Sequence, residues 1–230
     1  MNELAAVLFD MDGTLVDTEV LWWQATEEIA SSLGYRLTQA DAGEVVGRAV
    51  EDTAAHLVAA LGGGDPRAVA ADLTAAFFTR VEAGAPLRPG AQQLLSALEG
   101  EGVPIALVSA SPRVVVDSVV GGALAHVPFE FTLAAEDTPR TKPQPDPYRA
   151  AAHRLGVTTA ACVAVEDSPD GAASAAAAGC TVLVVPSLLE VPAGPGRVFA
   201  KSLAQVDPST LRRCLAGYFG SHEAGAVAGG

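Results

Sequence analysis

The pattern of apolar and polar positions changes its period twice along the chain. Val7-Leu8-Phe9 is an apolar run too short for a helix, and it stops at Asp10-Met11-Asp12-Gly13-Thr14, where two carboxylates stand at i and i+2. Such a run predicts a buried strand that delivers acid to a sheet edge. If the chain stays extended through Asp12, both carboxylates leave the same side, because side chains alternate along a strand. Over residues 18–86 the period becomes helical. Leu21, Trp22, Ala25, Ile29 and Leu33 mark a first helix closed by Gly34, and Thr38-Gln39-Ala40-Asp41 has the form of a capping box opening a second. Further helices are expected over 51–61 and from Pro66, which suits a first helical turn, to Gly84.

From Leu87 onward, strand and helix alternate. Pro89-Gly90 opens a helix carrying Leu94, Leu95 and Leu98; residues 103–108 form an apolar strand that ends in Ser109; and 129–134 is a looser candidate. A helix over 147–155 leads into the strand 162–165, which ends in Glu166-Asp167-Ser168. An alanine-rich helix over 171–178 stops at Gly179, and 181–185 is a fifth strand. Continuous apolar strands separated by helices imply a parallel sheet covered on both faces. The expected architecture is α/β: a Rossmann-like core of residues 1–16 and 87–230, with an inserted helical segment, 17–86. Residues 221–230 carry little that can pack and are expected to fray.

Composition narrows the partners. The 230 residues are half apolar, enough for a sizeable core, and 27 acidic against 14 basic residues leave a net charge of −13. That charge repels nucleic acid and anionic membrane, so an anionic ligand needs a local site. Cys162, Cys180 and Cys214 are odd in number and lack C-x-x-C spacing, which predicts free thiols in a reducing compartment. Glu3 stands where a signal peptide carries basic residues, and no apolar run approaches the ~20 residues of a membrane span. A cytoplasmic, monomeric protein with a small-molecule substrate is the expectation.

Three strands end in polar chemistry: Asp10 and Asp12, then Ser109, then Glu166 and Asp167. In a parallel sheet those ends share one edge, where ligands bind. Lys142 joins them from Thr141-Lys142-Pro143-Gln144-Pro145-Asp146-Pro147, whose three prolines stiffen the backbone. Four carboxylates, a hydroxyl and an ammonium suit Mg²⁺ together with a phosphoryl group, since Mg²⁺ takes oxygen ligands and usually only one or two carboxylates. No Cys/His cluster offers zinc ligands instead. Singly, each feature has an ordinary explanation: Asp10-x-Asp12-Gly13 as a turn, Ser109 as a helix cap, Lys142 as a solvated lysine, Glu166-Asp167-Ser168 as a charged N-cap. Their joint order favours one site. Asp17, Asp146, Asp170 and the four scattered histidines are left without chemistry.

Asp10-x-Asp12-Gly13-Thr14, the strand ending in Ser109, the Lys142-Pro-x-Pro-Asp loop and Glu166-Asp167-Ser168 together resemble the haloacid dehalogenase superfamily, in the branch of β-phosphoglucomutase and small sugar phosphatases. The resemblance implies that 17–86 is that branch's cap, able to close over substrate and exclude water. It implies an aspartyl-phosphate route, with Asp10 as nucleophile and Asp12 as general acid and base. Mg²⁺ would be held by Asp10, the Asp12 backbone carbonyl and Asp167, with Glu166 contacting the metal or its waters. Ser109, Ala110 and Lys142 would bind the phosphoryl oxygens, and Arg48 and Trp22 are the cap positions assigned to substrate.

Within that resemblance, Asp12 argues for phosphate rather than carbon–halogen chemistry, and the absence of lysine from 18–86 argues against phosphonate cleavage. In β-phosphoglucomutase-like caps an arginine follows a glycine by three positions; counting from Gly47 that place is Val50, and Arg48 is out of register. The mutase branch also resembles a histidine where Trp22 stands. A phosphatase acting on a sugar or polyol phosphate is therefore expected ahead of a mutase. A phospho-acceptor signalling module shares the aspartyl phosphate, Mg²⁺, hydroxyl and lysine. It lacks the helical insert and places its acidic pair first.

Overall fold

The structure is a computed structural model that describes residues 3–46, 48, 50–187 and 189–217. The stretch expected to fray and the Gly47 of the mutase register lie outside the described residues.

Six parallel strands form one sheet: β1 (Ala6–Phe9), β2 (Ile105–Val108), β3 (Thr132–Leu133), β4 (Cys162–Glu166), β5 (Thr181–Val184) and β6 (Arg197–Phe199), in the order β3-β2-β1-β4-β5-β6. β1 lies between β2 and β4, with Val7 beside both Ile105 and Val163. The chain winds outward from β1 through β3, then returns to start again at β4 on the other side. The direction of winding therefore reverses between β1 and β4, and the crevice outside the carboxyl ends of those two strands is where open α/β sheets bind ligands.

Alternation along the strands fills two layers. Val7, Phe9, Leu107, Val163, Val165 and Leu183 pack with α5 (Ala91–Gly100), α6 (Arg113–Gly121) and α9 (Pro208–Leu215). Ala6, Leu8, Ala106, Val108, Ala164 and Val182 pack with α7 (Asp146–Leu155) and α8 (Pro169–Ala178), where the alanines of α8 let the helix sit close to the sheet. All three cysteines are buried free thiols, as their spacing predicted.

Between β1 and β2 the chain forms α1 (Thr18–Ser32), α2 (Ala42–Val45), α3 (Val50–Leu61) and α4 (Pro66–Ala83). Ala30, Leu37, Val45, Ala54, Leu57, Val69 and Leu73 give these helices a core of their own, while Leu21 and Val81 pack into the sheet-side layer. The Thr38 capping box forms, but it opens a 3-10 turn, Gln39–Asp41, followed by the single turn of α2. The segment leaves and re-enters the core at one place. The Asp17 N–H bonds the Pro86 carbonyl at 2.8 Å, the Arg88 N–H bonds the Leu15 carbonyl at 2.9 Å, and Val16 bridges Leu87 antiparallel.

The structure differs from the sequence expectation at β1 and adds elements to which no expectation was attached, α6, β6 and α9. β1 ends at Phe9, because Leu15 and Val16 both turn their N–H groups back onto the Met11 carbonyl, at 3.0 and 3.1 Å. Asp10 and Asp12 reach the same crevice from a tight loop, not from an extended strand. α6 contains Val114-Val115-Val116, a β-branched run that disfavours helix; burial of Val115, Val116 and Val119 against the sheet overrides it. β6 and α9 lie beyond the last expected strand. Among the described residues no helix is long and apolar enough to cross a membrane.

Candidate active site

The loop after β1 and the carboxyl end of β4 bring Asp10, Glu166 and Asp167 together, so that one carboxylate oxygen from each lies within 4.8 Å of the others. Lys142 reaches in from the proline loop before α7. Its Nζ donates to Asp10 Oδ1 at 2.7 Å and to Glu166 Oε1 at 2.6 Å, and its side chain is 4% exposed. Glu166 is further fixed by the Tyr148 hydroxyl, which donates to the same Oε1 at 2.5 Å, and by Ser168 Oγ, 3.3 Å from Oε2. The Lys142 ammonium lies 5.4 Å from the centre of the Tyr148 ring, within cation–π range.

Asp12 stands apart from this ion-pair network and is held by hydroxyls. Thr18 donates to its Oδ1 at 2.9 Å, and Ser111 and Ser109 donate to its Oδ2 at 2.7 and 3.2 Å. Gly13 and Gly171 are required by close approach. Gly13 has φ +77° and a Cβ there would overlap Asp167 Oδ2, whereas a Cβ on Gly171 would fall inside the Glu166 carboxylate. Ser168 caps α8 through the Gly171 N–H, which brings the start of that helix against Glu166.

Four acids around one ammonium leave an excess of negative charge. Burial raises the Asp167 carboxyl well above the usual carboxylate range, and the charges of Asp10 and Glu166 raise it further, against a smaller opposing pull from Lys142. Burial likewise raises Glu166, outweighing Lys142, and raises Asp12, where Asp10 adds to it against the three hydroxyl bonds. Burial opposes the charge of Lys142, but Asp10 and Glu166 outweigh it and hold the ammonium above its ordinary value. Asp10 Oδ2 is buried and has no hydrogen-bond partner. An unsatisfied carboxylate oxygen beside Asp167, in a cluster short of positive charge, fits a hard divalent cation.

These groups open onto a cavity of about 550 Å³ whose wall includes Asp10, Asp12, Arg48, Ala110, Lys142 and Asp167. A neighbouring cavity of about 720 Å³ is lined by residues of the helical segment, among them Asp17, Val20, Trp23 and Gln39, together with Arg88. Glu19, Arg48, Ser187 and Leu189 border both. Such volumes suit small organic ligands.

The structure thus gathers Asp10, Asp12, Ala110, Lys142, Asp167 and Arg48 at one cavity, with Glu166 completely buried behind it. Two of the sequence-based site residues, Ser109 and Trp22, are not among the residues that line these cavities. Ser109 is 1% exposed, and its hydroxyl donates to Asp12 while accepting the Ser111 N–H; Ser111, whose hydroxyl donates to the same Asp12 oxygen, is the serine that lines the cavity wall. Trp22 gives its indole N–H to the Val45 carbonyl at 2.9 Å and meets the Phe77 ring edge-on, inside the helical core; Trp23 lines the cavity instead. Arg48 gives its Nε–H to the Gly43 carbonyl at 2.9 Å. Sequence reasoning missed Thr18, Ser111 and Tyr148. Ser111 was legible as the second hydroxyl of Ser109-Ala110-Ser111-Pro112, and Tyr148 as the one aromatic residue on the inward face of α7.

The chain matches known proteins over most of its length. Residues 4–179 match the family model for haloacid dehalogenase-like hydrolases. Hexitol phosphatase B of Escherichia coli is 30% identical over 189 residues, covering 81% of this chain and 85% of that protein. Protein CbbY of Rhodobacter capsulatus is 34% identical over 203 residues, covering 80% and 86%. A crystal structure of a HAD family hydrolase from Deinococcus radiodurans, with bound phosphate and sodium, superposes with a TM-score of 0.72 at 28% identity, covering 94% of this chain and 97% of that one. The chain is an enzyme and belongs to the haloacid dehalogenase-like hydrolase family.

Proposed function

We propose that the protein is a Mg²⁺-dependent phosphatase that hydrolyses a small phosphomonoester, a sugar or polyol phosphate, through a phosphorylated Asp10. The observation that carries this reading is the buried, unpartnered Asp10 Oδ2 beside Asp167 and Lys142 at the cavity wall. Asp10 attacks phosphorus and the ester P–O bond breaks, while Asp12, oriented by Thr18, Ser109 and Ser111, gives a proton to the departing alkoxide. Asp12 then takes a proton from the water that attacks the phosphorus, releasing inorganic phosphate and restoring Asp10. Two of the three Lys142 protons are spent on Asp10 and Glu166, and the third serves a phosphoryl oxygen with the backbone around Ala110. Asp10, Asp167 and the Asp12 carbonyl would hold Mg²⁺, which offsets phosphoryl charge, and Glu166 anchors Lys142 from behind.

In this reading residues 17–86 are a cap and 1–16 with 87–230 the core. Trp23, Val20 and Gln39 line the outer cavity and suit the carbon skeleton and hydroxyls of the alcohol portion. The name of one relative, hexitol phosphatase, supports a sugar-like alcohol. Arg48, which borders both cavities, is the one feature that favours a phosphoryl mutase as a second reading. The deciding experiment measures phosphate release across sugar, polyol and nucleotide monophosphates with Mg²⁺ or with a chelator, and follows isomerisation of β-glucose 1-phosphate alongside. Multiple-turnover release confined to Mg²⁺ and strongest on a sugar or polyol phosphate supports the proposal. Isomerisation outrunning release would establish the mutase, and a single stable phosphorylation per chain would establish a signalling module.

A further inference from the structure

The sequence holds only two lysines among its 14 basic residues. One is Lys142. The other, Lys201, follows β6 and lines a separate cavity of about 190 Å³ together with Thr14, Arg88, Val185, Ser202 and Leu203. Among the described residues no acid lines it, although acids outnumber bases about two to one in the chain as a whole. It shares no wall residue with the carboxylate-lined cavity, and only Arg88 with the outer cavity.

Thr14 forms the inner wall of this small cavity. Its side chain is buried, at 2% exposure, and its Oγ1 has no hydrogen-bond partner among the described residues. A buried hydroxyl left unpaired is a cost that a ligand oxygen at that place removes. The Ser202 hydroxyl is already used, donating to the Pro89 carbonyl at 3.3 Å and accepting the Ala204 N–H at 3.2 Å. Arg88 is loosely held: its Nη1 lies 3.4 Å from Asp17 Oδ2, at the limit of a hydrogen bond, which leaves most of its planar donor fork for another oxygen ligand. Val185 and Leu203 are buried and supply an apolar wall, against which charge interactions are strengthened.

Two cations, a hydroxyl donor and an apolar back wall make an anion site. Its size selects the anion. A volume of about 190 Å³ lies below the ~300–1,000 Å³ of pockets for organic ligands, but it holds a tetrahedral oxyanion with a few waters at about 30 Å³ each. We propose that this cavity is a second anion site, distinct from the active site, that takes a small tetrahedral oxyanion between Lys201, Arg88 and the Thr14 hydroxyl. Because Arg88 also lines the outer cavity and faces Asp17, the bound oxyanion and Asp17 compete for one guanidinium at the base of the helical segment.

The test is a titration with inorganic phosphate and, separately, with sulfate, in chelator so that no divalent cation draws anions to the carboxylate cluster. Thermal unfolding and calorimetry are read on the parent chain, on Lys201→Met and on Thr14→Val. The expected result is a saturable rise in melting temperature with either anion. Lys201→Met should weaken the apparent Kd at least tenfold while leaving turnover in anion-free buffer unchanged. Thr14→Val, which removes an unpaired hydroxyl, should melt no lower than the parent without anion and should lose most of the anion response. Absence of a saturable response in the parent would overturn the proposal. So would an undiminished response in Lys201→Met, which would place the anion elsewhere. A Thr14→Val chain that fails to fold leaves the Lys201→Met comparison to decide.

Discussion

Replacing Gly171 by alanine separates this account from ordinary helix thermodynamics. Gly171 is the third residue of α8 and its backbone does not require glycine, so helix propensity alone predicts a gain of up to about 1 kcal/mol. The structure predicts the reverse. An alanine Cβ would fall inside the Glu166 carboxylate, far closer than the 3.0 Å that real Cβ contacts respect, and the completely buried Glu166 has little room to yield. The carboxylate has to retreat by on the order of 1 Å, which stretches its bonds from Lys142 and Tyr148, now 2.6 and 2.5 Å, past hydrogen-bonding range. Each bond of this charge-assisted kind contributes about 1.5–3 kcal/mol, and disrupting a buried ion pair costs about 3–5 kcal/mol. Set against the propensity gain, a net loss of roughly 2–4 kcal/mol follows. Lys142 loses one of its two anchors, and misplacing a catalytic group by about 1 Å costs on the order of 10²-fold in rate. Urea unfolding followed by circular dichroism measures the first effect, and phosphate release under saturating substrate the second. Gly100→Ala is the control, since a Cβ there meets nothing within 4 Å. If Gly171→Ala is as stable and active as the parent, the Glu166 anchor is not what positions Lys142.

Other outcomes follow from the same geometry. Asp10→Asn should abolish phosphate release while leaving the chain folded; substantial residual turnover would remove Asp10 from the nucleophile's role. Arg48→Ala should change the ranking of substrates more than the turnover of a minimal aryl phosphate, and equal losses on both would refute a specificity role for this residue. Asp207 caps α9, accepting from the Thr210 N–H at 2.7 Å, the Thr210 hydroxyl at 2.6 Å and the Ser209 hydroxyl at 2.9 Å. Those bonds, led by the Thr210 hydroxyl, lower its carboxyl from 3.8 to about 2. A carboxyl lowered in the folded state adds stability that is complete above its unfolded value and lost as pH falls through the folded one. Asp207→Ala should therefore cost about 1 kcal/mol at neutral pH. The difference from the parent should vanish over the window from 3.8 down to about 2.

The sheet and its catalytic edge are legible in the sequence because the physics there is local. Val7-Leu8-Phe9 meets acid abruptly, Cys162-Val163-Ala164-Val165 does the same, and parallel pairing puts both ends on one edge. What is illegible depends on through-space partners. Asp12 takes hydroxyls from positions 18, 109 and 111, and only the folded chain shows that all three converge there and that Ser111, not Ser109, lines the cavity. Tyr148 resembles any inward aromatic residue of a helix until its hydroxyl is seen to reach Glu166. The valines of α6 have a local preference for strand, and only the sheet beneath them reverses it. Trp22 and Trp23 both pack against the helical core, but only Trp23 also lines the cavity, and helical periodicity alone does not say which.

The neck at which the helical segment leaves and returns has a consequence for how such a chain can diversify. Val16 and Leu87 lie side by side, and the hydrogen bonds around them tie the outgoing and incoming backbones together before either reaches a helix. Everything between them can be lengthened, shortened or exchanged across a single short junction, with the register of β1 against β2 and β4 untouched. The carboxylate-bearing edge and the walls of the outer cavity are thereby free to evolve on separate schedules, one held fixed by the sheet and the other carried on a graft.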